Sequence, residues 1–402
     1  MREGIKSSEG WMRAALFQFA TNATGKVAAV FEHLLALYLM HGLERAAHMQ
    51  VIDLLPPARE GEVLSLVGAH RIEEVREAAR RVSADICLWG ELRFGPEGRP
   101  QVNEVRVTLM MAASGDDGEA RSAGFHYSGL RGDVRSGELE LDLPALEDLV
   151  EEMIREVAGF AGLEEDCLDP ARIGEGLPRS DGAAVYFIYA LRMVTDPAMK
   201  LRLYLKAIAA DPYFPLAYTN AAQLLLGEGR HGEALKLLLR AESRLKGSEF
   251  EPDVLNLAGV ATLHMGMWDD AVKLWLKALE LCPDHVETLC NLAAAYAMRE
   301  LYDEAEGCYR AALSWREDYP LAWFSLGRLQ ARRGMHEEAE ASMRRYIELC
   351  PGDPWAYYVL GTSLSRQGRE AEAEFSLAKA AQLDPDGEAG ALARRELDEL
   401  RR

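Results

Sequence analysis

Trp323-Phe324-Ser325-Leu326-Gly327-Arg328-Leu329-Gln330, followed at fixed distances by Ala339, Met343, Tyr346 and Pro351, decides how the second half of this 402-residue chain folds. Moved forward 34 residues, the same pattern becomes Tyr357, Leu360, Gly361, Leu364, Ala373, Leu377, Ala380 and Pro385. Moved back by 34, it gives Leu289, Leu292, Ala293, Tyr296, Ala305, Tyr309 and Ala312, and by another 34, Leu255, Ala258, Gly259, Thr262, Ala271, Trp275, Ala278 and Pro283. The anchor before that, Tyr218, lies 37 residues back, so three extra residues fall between Arg244 and Pro252. A first unit from Gly182 to Pro212 keeps only Tyr204, Ala207 and Pro212 of the signature and carries Asp196-Pro197 where a helix restarts. Self-similarity at such a period marks a stack of supersecondary units, each burying its apolar face only against its neighbours.

The pattern resembles the tetratricopeptide repeat, with five clear copies and one degenerate copy across residues 181–386. The resemblance implies an all-α, right-handed solenoid of helix pairs. Its small residues at 258/259, 292/293 and 326/327 would let paired helices approach closely, while large apolar residues wedge between pairs. Gly229, Gly266, Gly334 and Gly368 fall at the turn inside each pair, where a left-handed residue is needed; Glu300 takes that place in one copy and predicts a strained turn. Residues 387–402 read as a polar-backed capping helix that turns Leu392, Leu397 and Leu400 inward.

Residues 14–163 alternate strand and helix patterns instead. Ala14 to Ala20 reads as a buried strand, Lys26 to Ala47 as an amphipathic helix and Met49 to Leu55 as a strand stopped by Pro56-Pro57. A charged helix over Ile72 to Val82 precedes a hairpin of Asp85 to Phe94 and Glu104 to Ala113, and Pro144 to Phe160 closes the unit as a helix. The expected fold is α/β, a small mixed sheet with packed helices. Ala84-Asp85, Gly90-Glu91-Leu92-Arg93, the return strand Val105 to Leu109 and Ala113-Ser114-Gly115 resemble the amino-terminal domain of the TolB and FlgO type, a domain found ahead of tetratricopeptide repeats in bacterial proteins. Residues 164–180, with two Pro and two Gly, are expected to link the halves.

Composition narrows the chemistry. A net charge of −20 repels a phosphate backbone, so nucleic acid is excluded as a generic partner. Nine Lys against 36 Arg fit a coding bias that also favours Ala, Gly and Leu. The six Cys include no CxxC pair, which predicts reduced thiols, and no apolar signal core follows Met1; together these predict a cytoplasmic protein without membrane insertion.

Ala20-Thr21-Asn22-Ala23-Thr24-Gly25-Lys26 sits between strand and helix as a phosphate-binding loop would, but Val27 replaces the magnesium-binding hydroxyl, so Gly25 and Lys26 are read as an ordinary turn and no cofactor is expected. His33, His41 and His48 are spaced too widely for one metal and are expected partly exposed on a polar face. Carboxylate pairs such as Glu73-Glu74 lie in charged helical surroundings, and no nucleophile–base constellation stands out, so no catalytic residue and no enzyme is expected.

The resemblance points to the face lined by the first helix of each pair, with residues one, five, eight and nine after the anchor turned inward. Here these include Asn256 and His264, Cys290 and Met298, Phe324, Arg328 and Arg332, then Tyr358 and Arg366. The known clamp of some family members uses Lys and Asn, and this chain lacks that set. Three arginines could instead fork an acidic peptide or pair with Glu on the solenoid itself. The function expected is a non-enzymatic scaffold or adaptor for a protein or peptide partner. The alternatives are a ligand-sensing regulator working through the first domain, or a self-assembling homo-oligomer.

Overall fold

The computed structural model describes residues 6–7, 10–11, 13–21, 26–47, 49–53, 84–94, 105–113, 120–128, 130–133, 138–163, 168–169, 172 and 174–400. Residues 1–225 and 226–402 form two compact units.

In the first unit, β1 (Lys6–Ser7) and β2 (Gly10–Trp11) make a short ribbon ahead of β3 (Arg13–Thr21), α1 (Lys26–Ala46), β4 (Gln50–Asp53), β5 (Ile86–Phe94), β6 (Val105–Ala113) and β7 (Arg121–Tyr127). A five-stranded sheet runs β4-β3-β5-β6-β7, with β3 parallel to β4 and β5 and the remaining pairs antiparallel. The hairpin expected from sequence pairs without a break from Ile86 with Ala113 to Phe94 with Val105. Along β6 the alternation is visible as burial: Val105, Val107, Leu109 and Met111 are buried while Arg106 is exposed. That pattern belongs to a sheet covered mainly on one face. A second ribbon, β8 (Leu130–Asp133) with β9 (Glu138–Leu141), leads into α2 (Leu143–Ala161).

Helix α2 is a one-stripe helix, burying Leu146, Leu149, Val150, Met153, Ile154 and Val157. Its start is fixed by Asp142, whose carboxylate accepts from Ala145 N at 3.1 Å, and its end by Gly162 at φ 74°. Helix α1 differs from the amphipathic helix expected, because from Phe31 to Leu43 almost every side chain is buried. It contacts β3 and β4, α2 and α3 (Asp181–Ile188), so no broad face is left for solvent. His33 and His41, expected partly exposed, are accordingly buried, at 2% and 9% exposure. His48, Gly25, the strand end at Leu54 and Leu55, and the helix expected over residues 72–82 lie outside the described residues, while Lys26 is the first residue of α1.

The segment expected as a linker is packed where it is described. The Tyr38 hydroxyl of α1 donates to the Pro178 carbonyl at 3.3 Å, the His41 ring meets the Glu175 carbonyl through Nε2, and Leu177 is buried. The Asp211 carboxylate accepts from Arg179 N at 2.7 Å. Helix α3 runs into a single π-helical turn, Tyr189–Met193, before α4 (Pro197–Ala210) restarts at Asp196, whose side chain accepts from Met199 N. Helix α5 (Pro215–Gly227) follows.

The second unit begins with α6 (His231–Leu245) and continues as pairs: α7 (Glu251–His264) with α8 (Trp268–Leu281), α9 (Val286–Met298) with α10 (Tyr302–Trp315), α11 (Pro320–Arg332) with α12 (His336–Leu349), and α13 (Pro354–Arg366) with α14 (Glu370–Leu383), closed by α15 (Glu388–Leu400). Close approach within a pair explains the small residues. A Cβ on Gly259 would lie 2.4 Å from Trp275, on Gly327 2.5 Å from Met343 and on Gly361 2.7 Å from Leu377. Trp275, fully buried, donates from Nε1 to the Asn256 carbonyl at 3.1 Å. The three extra residues before α7 are held by Glu251, a buried carboxylate that accepts from Gly247 N at 2.6 Å and pairs with Lys277 at 3.3 Å. The turns behave as the sequence implies: Gly229, Gly266, Gly334 and Gly368 have φ of 72–79°, and Glu300 takes φ 60° in their place.

Candidate functional site

The expected groove residues divide into two groups when placed. Asn256 and Cys290 are not on the open surface. Asn256 is buried and its side-chain oxygen accepts from Asn291 Nδ2 at 2.8 Å, while Cys290 lies in the core with Val286, Leu289 and Tyr309, its thiol pushed up to about 12 by burial. Both are taken up by packing against neighbouring helices. Phe324 and Tyr358 are half-buried: Phe324 packs on Tyr346 with ring centroids 5.0 Å apart, and Tyr358 lies against Trp355 and the α15 cluster. His264, Met298, Arg328, Arg332 and Arg366 are exposed.

The basic residues differ in what they meet. Around them, arginines are tied to carboxylates: Arg333 to Asp303 and Glu306, Arg344 and Arg369 to Glu340 and Glu372, Arg345 to Glu317 and Glu348. Burial alone would raise the Glu340 carboxyl, but hydrogen bonds from Gln367 and Arg369 outweigh it and hold the group below its ordinary range. Arg328, Arg332 and Arg366 have no carboxylate partner among the described residues. Two of them lie over aromatic rings instead. The Arg328 guanidinium is 5.5 Å from the Phe324 centroid, and that of Arg332 is 5.7 Å from Tyr302. A guanidinium resting near a ring face makes no hydrogen bond to it, so its N–H donors stay available for a planar anion. The possibility that all these arginines are neutralised within the repeats is thus met for their neighbours and not for these three.

The same edge continues toward the N-terminal side of the unit. Arg299 lies over Trp268 at 5.2 Å, and His264 stacks on His231 with centroids 4.7 Å apart and an interplanar angle of 9°. An open cavity of about 550 Å³ borders His231, lined also by Leu235, Leu239 and Met265. Sequence reasoning passed over the rings on which these residues rest: each opens the second helix of the preceding pair, a position the repeat signature leaves unspecified. Among the described residues, no group of three or more His, Cys, Asp or Glu is placed to hold a metal ion, and no helix is long and apolar enough to cross a membrane.

Family models of the tetratricopeptide repeat match residues 203–236, 251–318, 294–354 and 356–386. No curated protein sequence matches the chain. Among solved structures, YrrB, described as a TPR protein with an unusual peptide-binding site, is 24% identical, covers 48% of this chain and 97% of its own, and superposes with a TM-score of 0.39. MamA from Desulfovibrio magneticus RS-1 is 22% identical over 43% of this chain and 97% of its own, with a TM-score of 0.38. The APC/C hetero-tetramer Cut9–Hcn1 gives 16%, 63% and 52%, with a TM-score of 0.48. Identities this low speak to fold alone. The matched models, the 34-residue register and the packed helix pairs together assign the C-terminal region, from residue 203 to residue 386, to tetratricopeptide repeats.

Proposed function

We propose that the repeats form a non-enzymatic scaffold that binds a protein or peptide partner, seating an acidic segment against the first-helix face at α11 and α13. One observation carries this reading: in a chain of net charge −20, three exposed arginines on that face have no carboxylate partner among the described residues. Attraction between such a patch and an acidic segment is a source of specificity and association rate, because the rest of the surface repels the same ligand.

The free thiols of Cys87, Cys282, Cys290, Cys308 and Cys350 fit a reducing compartment, and cytoplasmic residence belongs to the proposal. So does the likeness of residues 14–163 to the TolB and FlgO type, which rests on the short sequence matches together with the strand–helix–strand order.

The test is charge reversal on the full chain. Arg328→Glu with Arg332→Glu should weaken capture of a cognate acidic partner at least about tenfold, the loss expected for charge-assisted bonds, while the melting temperature stays within about 2 °C, since both residues are exposed. Unchanged affinity in a folded double variant would remove the reading.

A further inference from the structure

His264, Met298, Arg332 and Arg366 occupy the same place in four successive repeats, 34 residues apart and in the last turn of α7, α9, α11 and α13. All four are exposed, Met298 at 69%. The parallel ladder one anchor position into the helix, Asn256, Cys290, Phe324 and Tyr358, is buried or half-buried and cannot contact a ligand to the same extent. The exposed ladder is chemically graded, with two cations, a thioether and an imidazole. Beneath its rungs lie the rings of Tyr302, under Arg332, and His231, under His264, with Trp268 between them carrying Arg299.

Successive first helices touch, and packed helices sit on the order of 10 Å apart. A ligand lying along the ladder must therefore present one side chain about every 10 Å on a single face. A β-strand does not do this, since same-face residues recur at roughly 6.6 Å. A polyproline II segment does: three residues per turn at about 3.1 Å each place residues i, i+3 and i+6 on one face about 9.3 Å apart. An α-helix would reach the pitch only with residues about seven apart. Aromatic floors are the surfaces on which polyproline II ligands dock.

Resting on the scaffold reading above, we infer that this ladder reads an acidic polyproline II segment at a three-residue pitch: two carboxylates three residues apart meeting Arg366 and Arg332, and an apolar side chain three residues further on meeting Met298, in either chain direction. The carboxylates are selected by the two unpaired guanidiniums, each able to bind bidentately. The apolar residue is selected by the exposed, deformable thioether.

Fluorescence anisotropy on the full chain tests it with labelled peptides: two glutamates three apart and a leucine three beyond, with Pro and Ser between, and the same order reversed. The comparison peptides carry the same residues with the glutamates adjacent, and an alanine-based helix with the glutamates seven apart. One of the first two should bind at least about tenfold more tightly than both comparison peptides. Arg332→Glu and Arg366→Glu should each remove about tenfold, and Met298→Ser should weaken the tighter-binding peptide but not its version with serine in place of leucine. Equal binding of the adjacent spacing would overturn the pitch, equal binding of the helical peptide would overturn the polyproline II conformation, and either would leave the acidic-segment reading standing. Failure of every acidic peptide to bind a chain that still melts cooperatively would remove both.

Discussion

Glu300 carries a local cost that its counterparts avoid. Its φ of 60° is the only positive value at a non-glycine among the described residues, in a turn where Gly229, Gly266, Gly334 and Gly368 do the same work. A side chain in the left-handed region costs roughly 1–2 kcal/mol, and the extra freedom glycine brings to the unfolded chain returns about 0.5–1 kcal/mol of that. Glu300→Gly should accordingly raise the stability of the repeats by about 0.5–1 kcal/mol, read as a higher denaturation midpoint; a lower midpoint would show that the Glu side chain makes a compensating contact. The strain at this turn was legible in the sequence because the repeat register lines Glu300 up with four glycines. Exposure along the groove was not legible, because register says which side of a helix a residue occupies and not whether the next helix covers it. Asn256 and Cys290 were expected to line the groove and are buried.

At the scale of elements, α15 replaces the next repeat. Leu397 is buried against Leu377, Ala380 and Ala393, and Leu400 packs beside Tyr357 and Tyr358. Leu397→Ala should cost about 2–3 kcal/mol, as expected when a buried leucine leaves a cavity. In a linear array the loss should be felt first by α14, so hydrogen exchange should speed up there while α8 is unchanged; uniform loss across the unit would contradict this local picture. Elements with strong periodicity were readable: α2, α15, and strands β3, β5 and β6 match their expected ranges to within a few residues. Strand β7 was missed because Arg121-Ser122-Ala123-Gly124-Phe125-His126-Tyr127 mixes strand-poor residues with little alternation; the backbone pairing to β6, from Val105 with Tyr127 to Met111 with Arg121, decides it.

For the whole chain, residues 174–180 are no free link, because Tyr38 and His41 of α1 hold them within the first unit. Burial pushes the His41 imidazole down to about 4, with Arg45 and Arg172 adding to the effect and the hydrogen bond to the Glu175 carbonyl opposing it. A histidine depressed in the folded state binds its proton more readily when unfolded. The first unit should therefore be most stable above the unfolded value near 6.5 and lose up to about 3 kcal/mol as pH falls to 4. Replacing His41 with Gln, which retains a donor for Glu175 but does not titrate, should flatten that dependence in melting experiments between pH 7 and 4; an unchanged slope would assign it to other groups. This tie was invisible in the sequence, where Pro and Gly between 164 and 180 signal a linker and nothing signals that Tyr38 and His41 reach it.

The sheet register bears on the order in which the chain acquires its structure. Strand β3 must wait for β5, since Ala14 pairs with Ile86 and Leu16 with Leu88, whereas each repeat pair closes as soon as its second helix exists. Closing a parallel pair across some seventy residues carries a loop entropy that neighbouring helices do not face, and chains dominated by such contacts fold slowly. Pulsed hydrogen exchange during refolding should find amides of α8 and α10 protected before those of β3 and β5, and simultaneous protection would refute it. On refolding of the whole chain the later-made half should thus be the earlier to fold, the reverse of the order in which a ribosome releases the two halves.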